Sequence, residues 1–156
     1  MKRNLLIILT VLFMSSCTTY KVFVPVNERT DIPDGVQYIV LNENIDSVKN
    51  AFKNNGILIK SMEGGFETEE ILLDEGTRAK YKAHAFDNQV RISAFWGITQ
   101  KVKSHMIMVA GTAYASSYDV NAWNKVLYDN KSARPKRVFD YAVQIIESNG
   151  FEYILR

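Results

Sequence analysis

The chain has 156 residues, enough for one ordinary domain and too few for two. Apolar residues make up 47% and charged residues 23%, a balance that excludes a disordered, collagen-like or multi-span membrane chain. A single cysteine excludes an intramolecular disulfide and a multi-cysteine zinc site, and the formal charge of +2 rests on Lys2 and Arg3 at the N-terminus.

Lys2 and Arg3 precede an apolar stretch, Leu5 to Met14, broken only by Thr10. A permanent membrane-spanning helix needs roughly 20 apolar residues, so this stretch fits the apolar region of an export signal better. Met14-Ser15-Ser16-Cys17 follows and resembles the lipobox of bacterial lipoproteins, with Met14 in place of the preferred Leu. The resemblance implies that residues 1–16 are a cleaved signal peptide and that Cys17 carries a diacylglycerol on sulfur and a fatty acyl chain on nitrogen. Each buried CH₂ contributes about 0.8 kcal/mol, and two or more chains hold a protein stably on a membrane. Thr18 rather than Asp after the cysteine implies, for double-membraned bacteria, the outer membrane, with the domain facing the periplasm. Removing residues 1–16 leaves 17 cations against 17 carboxylates. The mature chain then has no global charge that calls for nucleic acid.

Residues 17–35 read as a lipidated tether, because Pro25, Pro33 and the polar run Asn27 to Asp31 disfavour regular structure. Within it, Tyr20 to Val24 can pair as a strand or dock on the domain. A single domain is expected over residues 36–156. Val36 to Leu41 is a strand rich in β-branched residues. Asn42 or Asn44 caps a helix whose face carries Ile45, Val48 and Phe52, and Asn54-Asn55-Gly56 stops it. Strands Ile57 to Met62 and Phe66 to Leu73 flank the Gly64-Gly65 turn.

Ala79 to Trp96 reads as a hairpin about Asp87-Asn88. That turn pairs Tyr81 with Ala94, Ala83 with Ile92 and Ala85 with Val90 on an apolar face, where Trp96 also falls. Lys80 pairs with Phe95, Lys82 with Ser93 and His84 with Arg91 on a polar one. Met106 to Ala113 is a continuous apolar strand. Residues 114–134 are irregular, with a short helix carrying Val120, Trp123 and Leu127. A helix from Pro135 buries Val138, Ala142, Ile145 and Ile146, ends at Asn149-Gly150, and leads into the strand Phe151 to Leu155.

The order β-α-β-β-β-β-β-α-β predicts an α+β fold, an antiparallel sheet with two main helices packed on one face. Residues 36–96, with NIDSVKNAFKNNGILIKS and its Gly-containing turn, resemble in topology the small modules of outer-membrane assembly-machine lipoproteins and α+β folds of the TATA-box-binding-protein-like type. The resemblance implies an interaction module without catalytic residues.

His84 and His105 stand apart with no metal-ligand spacing, so no metal or other cofactor is expected. Glu67, Glu69, Glu70, Asp74 and Glu75 lie along one strand and its turn, where they meet Lys80 and Lys82 rather than face each other as a hydrolase pair would. Lys131, Arg134, Lys136 and Arg137 cluster at a helix N-terminus, where cations oppose the helix dipole and an anion would relieve them. Phe95, Tyr118, Trp123 and Tyr128 are the candidate binding aromatics. The expected role is a non-enzymatic, lipid-anchored accessory or scaffold module with a protein partner. A glycan- or peptidoglycan-binding lipoprotein using those aromatics is the alternative.

Overall fold

The computed structural model describes residues 23–99, 119 and 121–156. Strand β1 (Tyr38–Leu41) leads into α1 (Ile45–Asn54), whose first turn is closed by Asn44 accepting from the Ser47 N–H at 2.8 Å. β2 (Ile59–Met62) and β3 (Gly65–Thr68) form a tight hairpin, β4 (Ile71–Leu72) follows, and β5 (Thr77–Phe86) and β6 (Gln89–Ile98) make the long hairpin. β7 (Asn124–Lys125), α2 (Ala133–Ser148) and β8 (Tyr153–Leu155) complete the order.

The eight strands form one antiparallel sheet along the path β2-β3-β5-β6-β1-β8, with β4 paired to β5 and β7 to β6. The fold is α+β, as the order of strands and helices requires. The long hairpin has the expected register throughout, from Ala85 opposite Val90 to Lys80 opposite Phe95. Asp87 and Asn88 both take positive φ, 45° and 61°, the pair of left-handed residues that a two-residue turn matched to the strand twist demands. Both helices stop at an Asn-Gly, where Gly56 and Gly150 adopt φ 75° and 72°.

α1 and α2 pack on the apolar face. Phe52 meets Phe66 and Tyr81 edge-on, with ring centroids 5.5 and 5.6 Å apart. Tyr81 crosses the core and donates its hydroxyl to the Val138 carbonyl at 2.6 Å, which ties α2 to the centre of the sheet. Ala79, Ala83 and Ala94 leave room for that approach, and all are buried.

Several expectations need correction. The strand expected over Phe66 to Leu73 is two strands, broken at Glu69-Glu70. Of the short helix expected about Val120, Trp123 and Leu127, Val120 lies outside the described residues and residues 123–128 are extended chain: β7 pairs with Phe95 and Trp96, and burial alternates from Val126 (buried) through Leu127 (exposed) to Tyr128 (buried). The expected strand Met106 to Ala113 lies outside the described residues.

The segment read as a tether up to residue 35 is, from Phe23 onward, a strap laid along α2. Ile32 is buried in the core, and Val24 and Val26 pack against it. The Asn27 N–H donates to the Gln144 side chain at 3.0 Å. Arg29 reaches Asp31 at 2.6 Å and Glu147 at 2.5 Å. The Gly35 N–H donates to the Tyr128 carbonyl at 2.8 Å. The prolines do break regular structure here, but packing against a helix supplies the order that local propensity does not.

Candidate functional site: the open face of the sheet

The face of the sheet away from the helices is lined by alternate residues of each strand. Pairing places Lys60, Glu67, Lys82, Ser93 and Tyr38 in one row across it, and Lys80, Phe95 and Lys125 in the next. Cations and rings interleave there. Lys82 stands over Phe95 at 5.6 Å, Arg91 over Tyr38 at 5.0 Å and over Phe86 at 5.5 Å, and Lys125 over Tyr38 at 4.0 Å. Arg78 and Lys80 both lie over Trp123, at 4.5 and 4.8 Å.

Trp123 reaches this position because of Gly97. A Cβ at residue 97 would come within 2.8 Å of Arg78 Nε and 3.2 Å of the Ala122 carbonyl. The bare backbone lets the guanidinium cross β6 and lets residues 122–123 settle above it. Arg78 also pairs with Glu70 at 2.8 Å, and Glu67 sits between Lys80 and Lys82 at 3.5 and 3.6 Å. Lys60, Arg78, Lys80, Lys82, Arg91, Lys125 and Arg156 thus share this face with the carboxylates Glu67, Glu69, Glu70 and Glu152, and cations are in excess on it although the chain is nearly balanced. The Tyr38 hydroxyl accepts from Lys125 Nζ at 2.6 Å, and that bond holds the phenol below its ordinary range.

Apolar side chains lie on the same face. Among the described residues six large apolar side chains are exposed, and five of them, Leu58, Met62, Phe86, Leu127 and Ile154, project from this side by strand alternation. Leu58 is 73% exposed and Phe86 58%.

Of the aromatics singled out from the sequence, the structure brings Phe95 and Trp123 together on this face, both half-buried under cations. Tyr118 lies outside the described residues. Tyr128 is a correction: it is fully buried, stacks edge-on with Phe139 at 5.4 Å, and donates its hydroxyl to Asp140 at 3.2 Å. Burial pushes its pKa well up, and the Asp140 charge adds to this.

The basic cluster at the N-terminus of α2 divides in the same way. Lys131 is exposed and Arg134 half-buried beside a cleft of ≈ 570 Å³ that also borders Glu28, Asp74 and Trp96. Arg137 lies 3.5 Å from Asp74. Lys136 is a correction: it is buried, and its ammonium donates to Asp140 at 2.7 Å instead of meeting a soluble anion. Asp140 is fully buried and also accepts from the Arg29 N–H at 3.1 Å. A carboxylate with these three donors is well satisfied, so Lys136 and Tyr128 serve the strap.

Among the described residues no group of three or more His, Cys, Asp or Glu is placed to hold a metal ion, and no helix is long and apolar enough to cross a membrane. His84 is exposed on the open face beside Arg91, its cross-strand neighbour. No protein-family model, curated protein or solved structure matches the chain.

Proposed function

We propose that this protein is a lipid-anchored, periplasm-facing accessory or scaffold module of the outer membrane that works by binding rather than by catalysis. Cys17 is its attachment point, and the folded domain, strap included, is the part it presents. One observation carries the reading: the strap is already held to α2 at Pro25, whose carbonyl accepts from the Gln144 side chain, eight residues after the cysteine. Eight residues span at most about 28 Å, so a lipid on Cys17 would hold the domain close to the bilayer by its helix layer. The open sheet face lies on the other side of the domain, where it is free to meet a partner. Its exposed apolar side chains, spread from Leu58 and Met62 at the β2 end to Ile154 on β8, support the same reading, because large apolar groups left in water on one face favour association.

The anchor is tested with Cys17→Ser in the full precursor. The protein should move from the membrane fraction to the soluble periplasmic fraction. Persistence in the membrane would mean that lipid on Cys17 is not what holds it.

A second reading, a glycan-binding lipoprotein, is favoured by Phe95 and Trp123 alone, since both reach the open face. Trp123 then reports on binding: its fluorescence should shift with soluble peptidoglycan fragments under the glycan reading and stay constant under the scaffold reading.

A further inference from the structure

The structure assigns a chemistry to the partner: we infer that the open face of the sheet docks the acidic, apolar-studded surface of another protein. The inference rests on the scaffold reading and names what that scaffold recognises.

Charge complementarity is the first argument. Lys60, Lys80, Lys82, Arg91, Lys125 and Arg156 outnumber the carboxylates Glu67, Glu69 and Glu152 on this face, while Arg78 and Glu70 neutralise each other, so an acidic surface is attracted and a basic one repelled. Preorganisation is the second. Arg78, Lys80, Lys82, Arg91 and Lys125 already rest on aromatic rings, so much of the side-chain freedom that a free lysine or arginine loses on binding is already gone. Area is the third. The two ten-residue strands run about 33 Å and are flanked by strands of three or four residues, so the face covers roughly 550 Å², the size each partner buries in a small, transient interface.

The apolar residues decide between classes of partner. Leu58, Met62, Phe86, Leu127 and Ile154 gain from burial only against an apolar counter-surface. A protein offers that beside carboxylates, whereas an acidic glycan has no use for exposed aliphatic chains. The rings that a sugar would stack upon are covered by cations. A bilayer would have to be reached from the far side of the domain, because the strap leads the chain away along α2.

The test is photo-crosslinking of the full lipidated chain in cells that make it. A benzophenone amino acid replaces Ser93 or Leu127 on the open face, or Lys53, exposed on α1, as a control. The expected result is a protein adduct from Ser93 and Leu127 and none from Lys53. Its crosslinked peptides should lie on an Asp- and Glu-rich surface. The yield should fall about tenfold or more in Lys80→Glu/Lys82→Glu and return when carboxylates of the mapped peptide are changed to lysine. A protein adduct from Lys53 alone would overturn the assigned face and leave the scaffold reading standing. Adducts on the open face made of glycan or lipid, or mapped peptides without carboxylates, would overturn the assigned chemistry. No protein adduct from any position would overturn both.

Discussion

Replacing Asp140 with alanine should loosen the strap from the domain. The carboxylate is fully buried and accepts from Lys136 Nζ at 2.7 Å, the Arg29 N–H at 3.1 Å and the Tyr128 hydroxyl at 3.2 Å. Its removal strands an ammonium that is 11% exposed, together with two neutral donors. Breaking one side of a buried ion pair costs about 3–5 kcal/mol, a large share of the ~5–15 kcal/mol that stabilises a domain. With a urea dependence of about 2 kcal/mol per molar, the unfolding midpoint of Asp140→Ala should drop by roughly 2 M. The double variant Lys136→Met/Asp140→Leu removes both charges at similar volume and should recover most of that loss. Limited trypsin digestion gives an independent view. The peptide bond after Arg29 is protected while Arg29 is held to Asp140 and Glu147, and in Asp140→Ala it should be cut first. A midpoint shift below about 0.5 M, with unchanged protection at Arg29, would refute the assignment of the strap to this network.

Gly65→Ala should be among the most damaging small substitutions, because a Cβ there would lie 1.9 Å from the Ala83 carbonyl oxygen in the backbone of the long hairpin. It should cost about 3 kcal/mol or more and detach the β2–β3 hairpin, read as early amide exchange at Tyr81 and Ala85, whose N–H groups donate to Thr68 Oγ1 and the Gly64 carbonyl. Alkaline unfolding should be steep. Burial raises the pKa of Tyr81, Tyr128 and Tyr141, and burial with the Glu147 hydrogen bond pushes Tyr153 up to about 12. These phenols favour their protonated form when folded, so their contribution is complete below the unfolded value near 10 and is lost as pH rises through the folded values. Phenolate absorbance followed against pH should show this group ionising only as the protein unfolds; smooth ionisation near pH 10 without unfolding would contradict their burial. At the acid end, Asp31 is held low by Arg29 and Asp129 by the Ser132 hydroxyl. Their contribution is present above the unfolded value of 3.8 and is lost as pH falls through the folded values, so Asp31→Asn should flatten the acid limb of stability against pH.

The long hairpin was fully legible in the sequence, because alternation and a two-residue turn leave only one register that buries Tyr81, Ala83 and Ile92 together. Both main helices were legible too, since each has an apolar stripe at the helical period and an Asn-Gly stop. The strap was not, since Val24, Val26 and Ile32 follow no period and two prolines mask their burial. Tyr128 and Lys136 were misplaced for a related reason. Their shared partner Asp140 also holds Arg29, 111 residues away in sequence, and local pattern carries no trace of such a contact. A signal for Tyr128 did exist in the alternation from Val126 to Tyr128, which marks an extended segment with an inward face. The cationic face was half visible: pairing placed Lys80, Lys82, His84, Arg91 and Phe95 on it, but the role of Gly97 in seating Trp123 over Arg78 appears only in three dimensions.

The order of assembly follows from where β1 sits. It lies between β6 and β8, and its core residues Ile39 and Leu41 are covered in concert with α2 and β8. A chain threaded N-terminus first can close α1 on Phe66 and Tyr81 early, but it holds one edge of β1 unpaired until residues 153–155 arrive. Until then the helix layer is half complete, and the strap has no α2 to grip. This topology delays closure of the domain until the second main helix and β8 are in place.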